Sequence, residues 1–140
     1  MKRNVASQRL TFTVDVNQAV RDAEVIFIAV GTPQGDNGEA DISAVEAVAR
    51  TIGENLNSYK IICTKSTVPI GTGEKICKII NTAISAGGTF DYVSNPEFLR
   101  EGSAVKDFLW PDRVVIGAAS DKAFDILREV YSPLLSLIHI

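Results

Sequence analysis

The feature that most constrains this chain is a nearly unbroken apolar run over residues 24–30, which ends at a glycine. A strand that exposes one face to water alternates apolar and polar side chains, and this run does not alternate. Such a strand is usually buried on both faces, as in a parallel sheet with helices above and below it. The run therefore predicts an α/β fold.

The rest of the chain repeats a pattern of short β-rich runs followed by longer segments with helical spacing. Ile42, Val45 and Ala49, for example, recur at the spacing of one helix face. Strands that alternate with helices at this pace indicate βαβ units and a mostly parallel sheet in one domain. The predicted strands cover residues 10–14, 24–30, 59–65, 90–93 and 113–117, and the predicted helices begin near residues 16, 41, 73 and 120.

Composition argues against several classes of function. The chain has 14 Lys and Arg against 17 Asp and Glu, so no basic excess is present to neutralise the phosphates of a nucleic acid. No apolar run approaches the roughly 20 residues that a membrane helix needs, and we expect a cytoplasmic protein without a membrane partner. Cys63 and Cys77 have no CxxC spacing and His139 is the single histidine, so we expect no metal site.

Three polar clusters each follow a predicted strand, at residues 31–33, 65–67 and 95–97. The carboxyl ends of parallel strands meet at one edge of a sheet, where ligands of such folds bind. Gly31 would let a ligand approach the backbone closely, and a helix N-terminus after the second cluster would attract anionic or polar atoms. Taken alone, the first cluster is more often an ordinary turn, and the second also fits a plain loop before a helix.

Two carboxylates, Glu97 and Glu101, flank a pair of apolar residues in the third loop. A loop carboxylate beside apolar groups can act as a general base towards water. The alternative is that Glu101 forms an ion pair with Arg100 or Lys106 and that Glu97 is simply solvated. The spacing alone does not decide between these two interpretations.

Residues 95–107, with the sequence NPEFLREGSAVKD, resemble the signature of the UDP-glucose/GDP-mannose dehydrogenase family. The segments that agree with this family in order and spacing are residues 25–33, 65–72 and 111–117. Residues 111–115 favour the UDP-glucose branch over the GDP-mannose branch. The resemblance covers most of residues 2–134 and implies a Rossmann-like, mostly parallel sheet with helices on both faces, lacking the first βαβ unit.

The resemblance also implies an activity and a set of site residues. Members of the family oxidise the C6 hydroxyl of a nucleotide sugar twice, with two NAD and one water, through an aldehyde and a cysteine thioester. The implied catalytic residues are Glu97, which helps activate water, and Thr67, which helps hold it. The implied cofactor-binding residues are Val30, Gly31, Thr32, Pro33, Ser66, Thr67, Val68 and Glu101. The implied contacts to UDP-glucose or a related nucleotide sugar are Glu97, Phe98, Leu99, Arg100 and Glu101.

By the same resemblance, other parts of the family pattern fall outside this sequence. The glycine-rich dinucleotide turn would precede residue 1, and the nucleophilic cysteine would follow residue 140, since neither Cys63 nor Cys77 matches it. We therefore expect residues 1–134 to be a partial NAD-binding domain of a homo-oligomeric enzyme, inactive in isolation. We expect residues 135–140 to be a non-family tail, which resembles translated sequencing adapter. Two alternatives stay open: a dehydrogenase of GDP-mannose or of a related UDP-sugar, and a non-catalytic nucleotide-binding domain.

Overall fold

A computed structural model describes residues 1–36, 38–85 and 87–135 of the chain. Helices and strands alternate through most of this length, as the apolar pattern predicts. The elements are α1 (Lys2–Ala6), α2 (Val16–Asp22), β1 (Val25–Ile28), α3 (Ser43–Glu54), β2 (Lys60–Thr64), α4 (Thr72–Ala83), β3 (Phe90–Ser94), α5 (Ala104–Leu109), β4 (Gly117–Ala118) and α6 (Asp121–Leu135).

The four described strands form one sheet in the order β1-β2-β3-β4. The first three strands are parallel, with Val25 opposite Ile61 and Ile61 opposite Asp91. The short β4 pairs with β3 in the antiparallel sense. The predicted mostly parallel sheet is therefore confirmed, and the loops that follow β1, β2 and β3 lie along one edge.

Helices cover both faces of the sheet, as predicted. On one face, α2, α3 and α4 enclose a core in which Val45 and Ile52 of α3 and Ile76 of α4 are fully buried with Ile62 of β2. On the other face, α6 packs its buried residues, Leu127 among them, against the opposite side of β2 and β3. Helix α6 does not cover β1 completely, and Phe27 is 37% exposed. The strand that is buried throughout is consequently β2 rather than the apolar run that contains β1.

The strand predicted at residues 10–14 is absent from the structure, and that prediction is wrong. Residues 11–14 of this segment are exposed, with Phe12 69% and Val14 98% accessible. No described strand pairs with it, and the N–H of Val16 turns back to donate to the carbonyl of Val14. A β-rich composition gives a strand only where a neighbour supplies hydrogen bonds and cover.

The strand predicted at residues 113–117 is also mostly wrong, because pairing is confined to Gly117 and Ala118. A side chain takes the place of a strand neighbour just before this point. The carbonyl of Val115 accepts a hydrogen bond of 2.8 Å from Nδ2 of Asn95. Val114 and Ile116 still pack against the core beneath α6, so the apolar pattern reflects burial here rather than a sheet ladder.

No helix in the described part of the chain is long and apolar enough to cross a membrane. Helix α6 extends to Leu135, which is the first residue of the predicted tail. The rest of that tail, residues 136–140, lies outside the described residues and includes His139.

Candidate active site

The loops after β1 and β2 are tied together at the carboxyl edge of the sheet. Ser66 donates through Oγ to the carbonyl of Val30 at 2.7 Å, and Thr32 donates through Oγ1 to the carbonyl of Thr67 at 2.9 Å. The two bonds run in opposite directions between the loops, so each loop fixes the other. The structure thus brings together the two clusters that sequence analysis placed near a cofactor.

Gly31 lies in this pair of loops with open space beside it. It is exposed, and a Cβ added to it would meet no other atom within 4 Å. Thr67 is also exposed, and its hydroxyl has no hydrogen-bond partner among the described residues, whereas Val68 packs against the core of the α3 and α4 face. Pro33 is exposed and accepts the N–H of Asp41 at 2.7 Å, which holds the far end of the loop. The arrangement leaves a shallow surface where a flat ligand can lie on backbone.

A cavity of about 500 Å³ opens beside these loops, where β3 ends. Its walls come from the end of β2, from the loop after β3, from the segment that follows α5 and from α6. The residues that line it are Lys65, Asn95, Pro96, Glu97, Phe98, Leu99, Arg100, Asp107, Phe108, Trp110, Pro111, Asp112, Arg113, Val114, Tyr131 and Leu134. Four of the five predicted nucleotide-sugar contacts are in this set, and Glu101 is not.

The floor of the cavity is a chain of hydrogen bonds centred on Asn95, which is buried. Its Oδ1 accepts the hydroxyl of Tyr131 at 2.5 Å, and Lys65 in turn donates from Nζ to that hydroxyl at 3.4 Å. Desolvation by burial raises the pKa of Tyr131. The phenol therefore stays protonated at neutral pH and continues to donate to Asn95. Tyr131 is not among the site residues predicted from the sequence.

Glu97 is exposed at the cavity wall, two residues beyond the buried Asn95. No ion pair holds its carboxylate among the described residues, which leaves it accessible to water. Phe98 projects next to it, and the guanidinium of Arg113 lies 5.1 Å from the centre of that ring. Such a stack holds a cation at the cavity while its hydrogen-bond donors stay available.

The side chain and the backbone N–H of Arg100 both contact Asp107. Its guanidinium contacts Asp107 through Nη2 at 2.8 Å and through Nε at 3.1 Å, and its backbone N–H donates to the same carboxylate. The ion pair that sequence analysis considered between Arg100 and Glu101 is therefore not formed. Glu101 lies in an exposed turn beside Gly102, whose φ of +81° is the left-handed conformation that glycine adopts readily.

The two thiols are not placed as nucleophiles. Cys63 is fully buried in β2, and desolvation raises its pKa to about 12. Cys77 is half-buried on α4, and burial raises its pKa as well. Attack on a carbonyl requires a thiolate, which both sites disfavour. Among the described residues, no three His, Cys, Asp or Glu side chains gather as a metal-binding group.

The sequence and the fold both match known proteins. A family model described as "UDP-glucose/GDP-mannose dehydrogenase family, NAD binding domain" matches residues 1–135. The UDP-glucose 6-dehydrogenase TuaD of Bacillus subtilis is 52% identical over 133 residues, which are 95% of this chain and 29% of TuaD. The chain thus spans about three tenths of the length of this curated relative.

Solved structures of similar proteins give the same result. A UDP-glucose dehydrogenase from the archaeon Pyrobaculum islandicum superposes with a TM-score of 0.88 at 42% identity, over 95% of this chain and 32% of that one. A GDP-mannose dehydrogenase from Pseudomonas aeruginosa, solved as a ternary complex, superposes with a TM-score of 0.86 at 34% identity, over 94% of this chain and 31% of that one. The chain therefore belongs to the UDP-glucose/GDP-mannose dehydrogenase family, within the NAD binding domain of that family.

Proposed function

We propose that this chain is part of an NAD-dependent UDP-glucose 6-dehydrogenase, which oxidises UDP-glucose to UDP-glucuronate in two steps. The observation that carries the proposal is the accessible carboxylate of Glu97 on the cavity wall, at the same edge of the sheet as the open backbone at Gly31. A substrate in the cavity and a cofactor on that surface would share the edge of the sheet. The relatives named UDP-glucose 6-dehydrogenase support the choice of sugar nucleotide.

The residues of the β1 and β2 loops fit NAD. The empty space beside Gly31 is where a planar ring can approach the backbone, and a side chain at that position would fill it. The exposed hydroxyl of Thr67 can donate to the cofactor or to a water beside it, since it has no partner in the described part of the chain. Ser66 and Thr32 would act indirectly, because their hydroxyls hold the two loops together. When bound, NAD supplies the acceptor for hydride from the sugar.

Glu97 would serve the step that consumes water. Release of the acid from the enzyme requires a proton to leave the attacking water, and an ionised carboxylate can accept it. Phe98 and Leu99, beside it in the loop, would limit the access of bulk water to the reacting atoms. Thr67 on the neighbouring loop would hold the same water by its hydroxyl. These roles follow the family resemblance.

The cavity would hold the nucleotide sugar. Three cations line it, and one of them, Arg100, is paired with Asp107. The other two, Lys65 just after β2 and Arg113 stacked on Phe98, both suit an anionic diphosphate. Leu99 is half-buried beside Arg100 and offers backbone groups to the sugar. Glu101 does not line the cavity, so a role for it would be on the cofactor side.

A dehydrogenase of GDP-mannose is the second candidate, because such an enzyme shares this fold at 34% identity. A non-catalytic nucleotide-binding domain is disfavoured by the accessible Glu97. We further propose that the parent enzyme is cytoplasmic, forms a homo-oligomer and serves polysaccharide synthesis, without a nucleic-acid partner. Cell fractionation and light scattering of the parent would test its location and its assembly.

The test is a chimera in which residues 1–135 of this chain replace the matching segment of Bacillus subtilis TuaD. We expect it to form NADH with UDP-glucose and much less with GDP-mannose, as followed by absorbance. The reverse preference would support the second candidate. Folded chimera without activity towards either substrate would contradict the proposal.

Glu97→Gln in this chimera tests the proposed step. Both hydride transfers should still occur, so a burst of about two NADH per active site should precede a stalled steady state, since only hydrolysis needs the base. Glu129→Gln, which changes an exposed glutamate on α6, is the matched control and should keep the parent rate. A normal steady-state rate for Glu97→Gln would remove the residue from this role.

A further inference from the structure

Asp107 on α5 joins the two ends of the loop that borders the cavity. Its carboxylate accepts hydrogen bonds from Nε, Nη2 and the backbone N–H of Arg100, at 3.1, 2.8 and 3.1 Å. It also accepts the hydroxyl of Ser103 at 2.8 Å. We call the group formed by Arg100, Ser103 and Asp107 the Asp107 latch.

Backbone hydrogen bonds within the same loop accompany the side-chain contacts of the latch. The N–H of Ser103 donates to the carbonyl of Arg100 at 3.2 Å, and the N–H of Asp107 donates to the carbonyl of Ser103 at 2.9 Å. Gly102 turns the chain between them in the left-handed conformation. Both backbone groups of Arg100 are therefore used within the loop, and the segment that stays free to meet a ligand is residues 97–99.

The carboxylate of Asp107 is well placed to hold this geometry. The side chain is only 11% exposed, whereas that of Arg100 is 76% exposed. The hydrogen bonds from Arg100 and Ser103 hold the pKa of Asp107 well below its usual range, so the acceptor stays ionised at any pH at which the enzyme would work. A two-pronged contact between guanidinium and carboxylate also fixes orientation, which a single point contact does not.

The latch contributes little to the hydrophobic core. Helix α5 has no buried residue, and neither of the two core clusters contains Arg100, Ser103 or Asp107. A group that orders a cavity wall without supporting the core is expected to act on ligand binding more than on folding.

We propose that Asp107 is a positioning residue for nucleotide-sugar binding, which fixes residues 97–99 against the cavity through the backbone N–H of Arg100. On this view the predicted contact of Arg100 with substrate is indirect. Arg113 is then the guanidinium at the cavity that is available to the diphosphate. This inference rests on the proposed function, because it names what orders that site.

The experiment compares Asp107→Ala, Asp107→Asn and Arg100→Ala in the TuaD chimera. Asp107→Ala should raise the KM for UDP-glucose about tenfold or more, since a misplaced binding segment loses that much, and should leave the KM for NAD within about twofold. Asp107→Asn should recover part of the affinity, because the amide oxygen can still accept the N–H of Arg100. Arg100→Ala should have a smaller effect than Asp107→Ala, because the backbone N–H remains.

Asp125→Asn is the matched control, since Asp125 also pairs with an arginine, Arg128, at an exposed site on α6. It should leave both KM values unchanged. Thermal unfolding of Asp107→Ala should stay within about 2 °C of the parent, as expected for a change outside the core. A merely structural role would instead lower the unfolding temperature and affect the two KM values alike.

Amide hydrogen exchange of residues 97–103 in the same chimera gives a readout that needs no turnover. Exchange there should accelerate in Asp107→Ala and stay unchanged in Asp125→Asn. An active chimera whose KM for UDP-glucose is unaltered in Asp107→Ala would overturn the inference. Unaltered amide exchange would also overturn the inference. This measurement can be made on an inactive chimera, whose lack of activity would separately contradict the proposed function.

Discussion

Gly31→Ala separates ligand binding from folding at the edge of the sheet. The added methyl group would meet no atom of the described chain within 4 Å, and the backbone at this glycine is not in the left-handed region. Folding should therefore not be strained. The free energy of unfolding should instead rise by about 0.4–1 kcal/mol, because alanine restricts the unfolded chain more than glycine does.

The same methyl group would stand where we place the cofactor. A ligand that rests on the backbone of Gly31 must move outwards by about the radius of a methyl group, and it then loses contact with both loops. A loss of about 1.4 kcal/mol corresponds to a tenfold weaker affinity, which is the smallest change we expect in the KM for NAD. Initial rates of the TuaD chimera at saturating UDP-glucose measure this constant, and urea unfolding of the 140-residue chain measures stability.

Gly53→Ala is the matched control for Gly31→Ala. A Cβ at Gly53 would lie 2.7 Å from the carbonyl oxygen of Ile80 and 2.7 Å from Cβ of Ala83, where α3 and α4 touch. Overpacking of about 1–3 kcal/mol should exceed the gain of about 1 kcal/mol in helix propensity, so stability falls. The KM for NAD should not change. An unchanged KM for NAD in Gly31→Ala would refute the placement of the cofactor on the backbone of Gly31. A lower free energy of unfolding in Gly31→Ala would refute the conclusion that the space beside this glycine is open.

Two further changes address the support of the fold away from the site. Lys60→Met should lower the free energy of unfolding, measured in urea, by about 2–4 kcal/mol. The buried ammonium of Lys60 donates to two carbonyls at the C-terminal end of α2, and in the variant each carbonyl loses a hydrogen bond worth about 1–3 kcal/mol. An unchanged urea midpoint would show that these hydrogen bonds contribute nothing to stability. Asp91→Asn should flatten the loss of stability that sets in below about pH 4. Hydrogen bonds from Ser120 and Tyr59 depress the folded-state pKa of Asp91, so its contribution is present above the unfolded value near 3.9 and disappears as the pH falls. An equally steep acid limb in the variant would argue against that pair of bonds.

The pattern of apolar residues predicted the alternation of strands and helices over most of the chain but not which segments pair. The apolar runs around β1 and β2 were correctly predicted to be strands, and the two strands pair with each other, although only β2 is buried throughout. Residues 10–14 have similar composition, yet strand formation depends on a neighbour that no local pattern reports. Val115 shows the same limit, since the amide of Asn95, 20 residues earlier, takes the place of a strand.

The sequence predicted those parts of the candidate site that directly follow a strand of the sheet. Glu97 follows β3, and the clusters after β1 and β2 were expected at the same edge and are found there. The partner of Arg100 was not predictable, because Asp107 is seven residues away and the interpretation from spacing considered only Glu101 as the carboxylate that Arg100 could pair with. A chain that bends back on itself between those positions, through the turn at Gly102, cannot be inferred from helical or strand periodicity.

Through Tyr131, helix α6 contributes to the candidate site as well as to the core. One side of its ring packs with Leu127 beneath the sheet, while its hydroxyl reaches Asn95 at the start of the loop that carries Glu97. Because Asn95 also holds the carbonyl of Val115, a single buried amide connects α6, β3 and the segment that leads to β4. Loss of the Tyr131 hydroxyl would therefore leave the apolar packing intact but remove one of the hydrogen bonds that hold Asn95, while those to Thr64 and Val115 remain. The geometry of the site consequently depends on a residue 34 positions beyond the carboxylate that it positions.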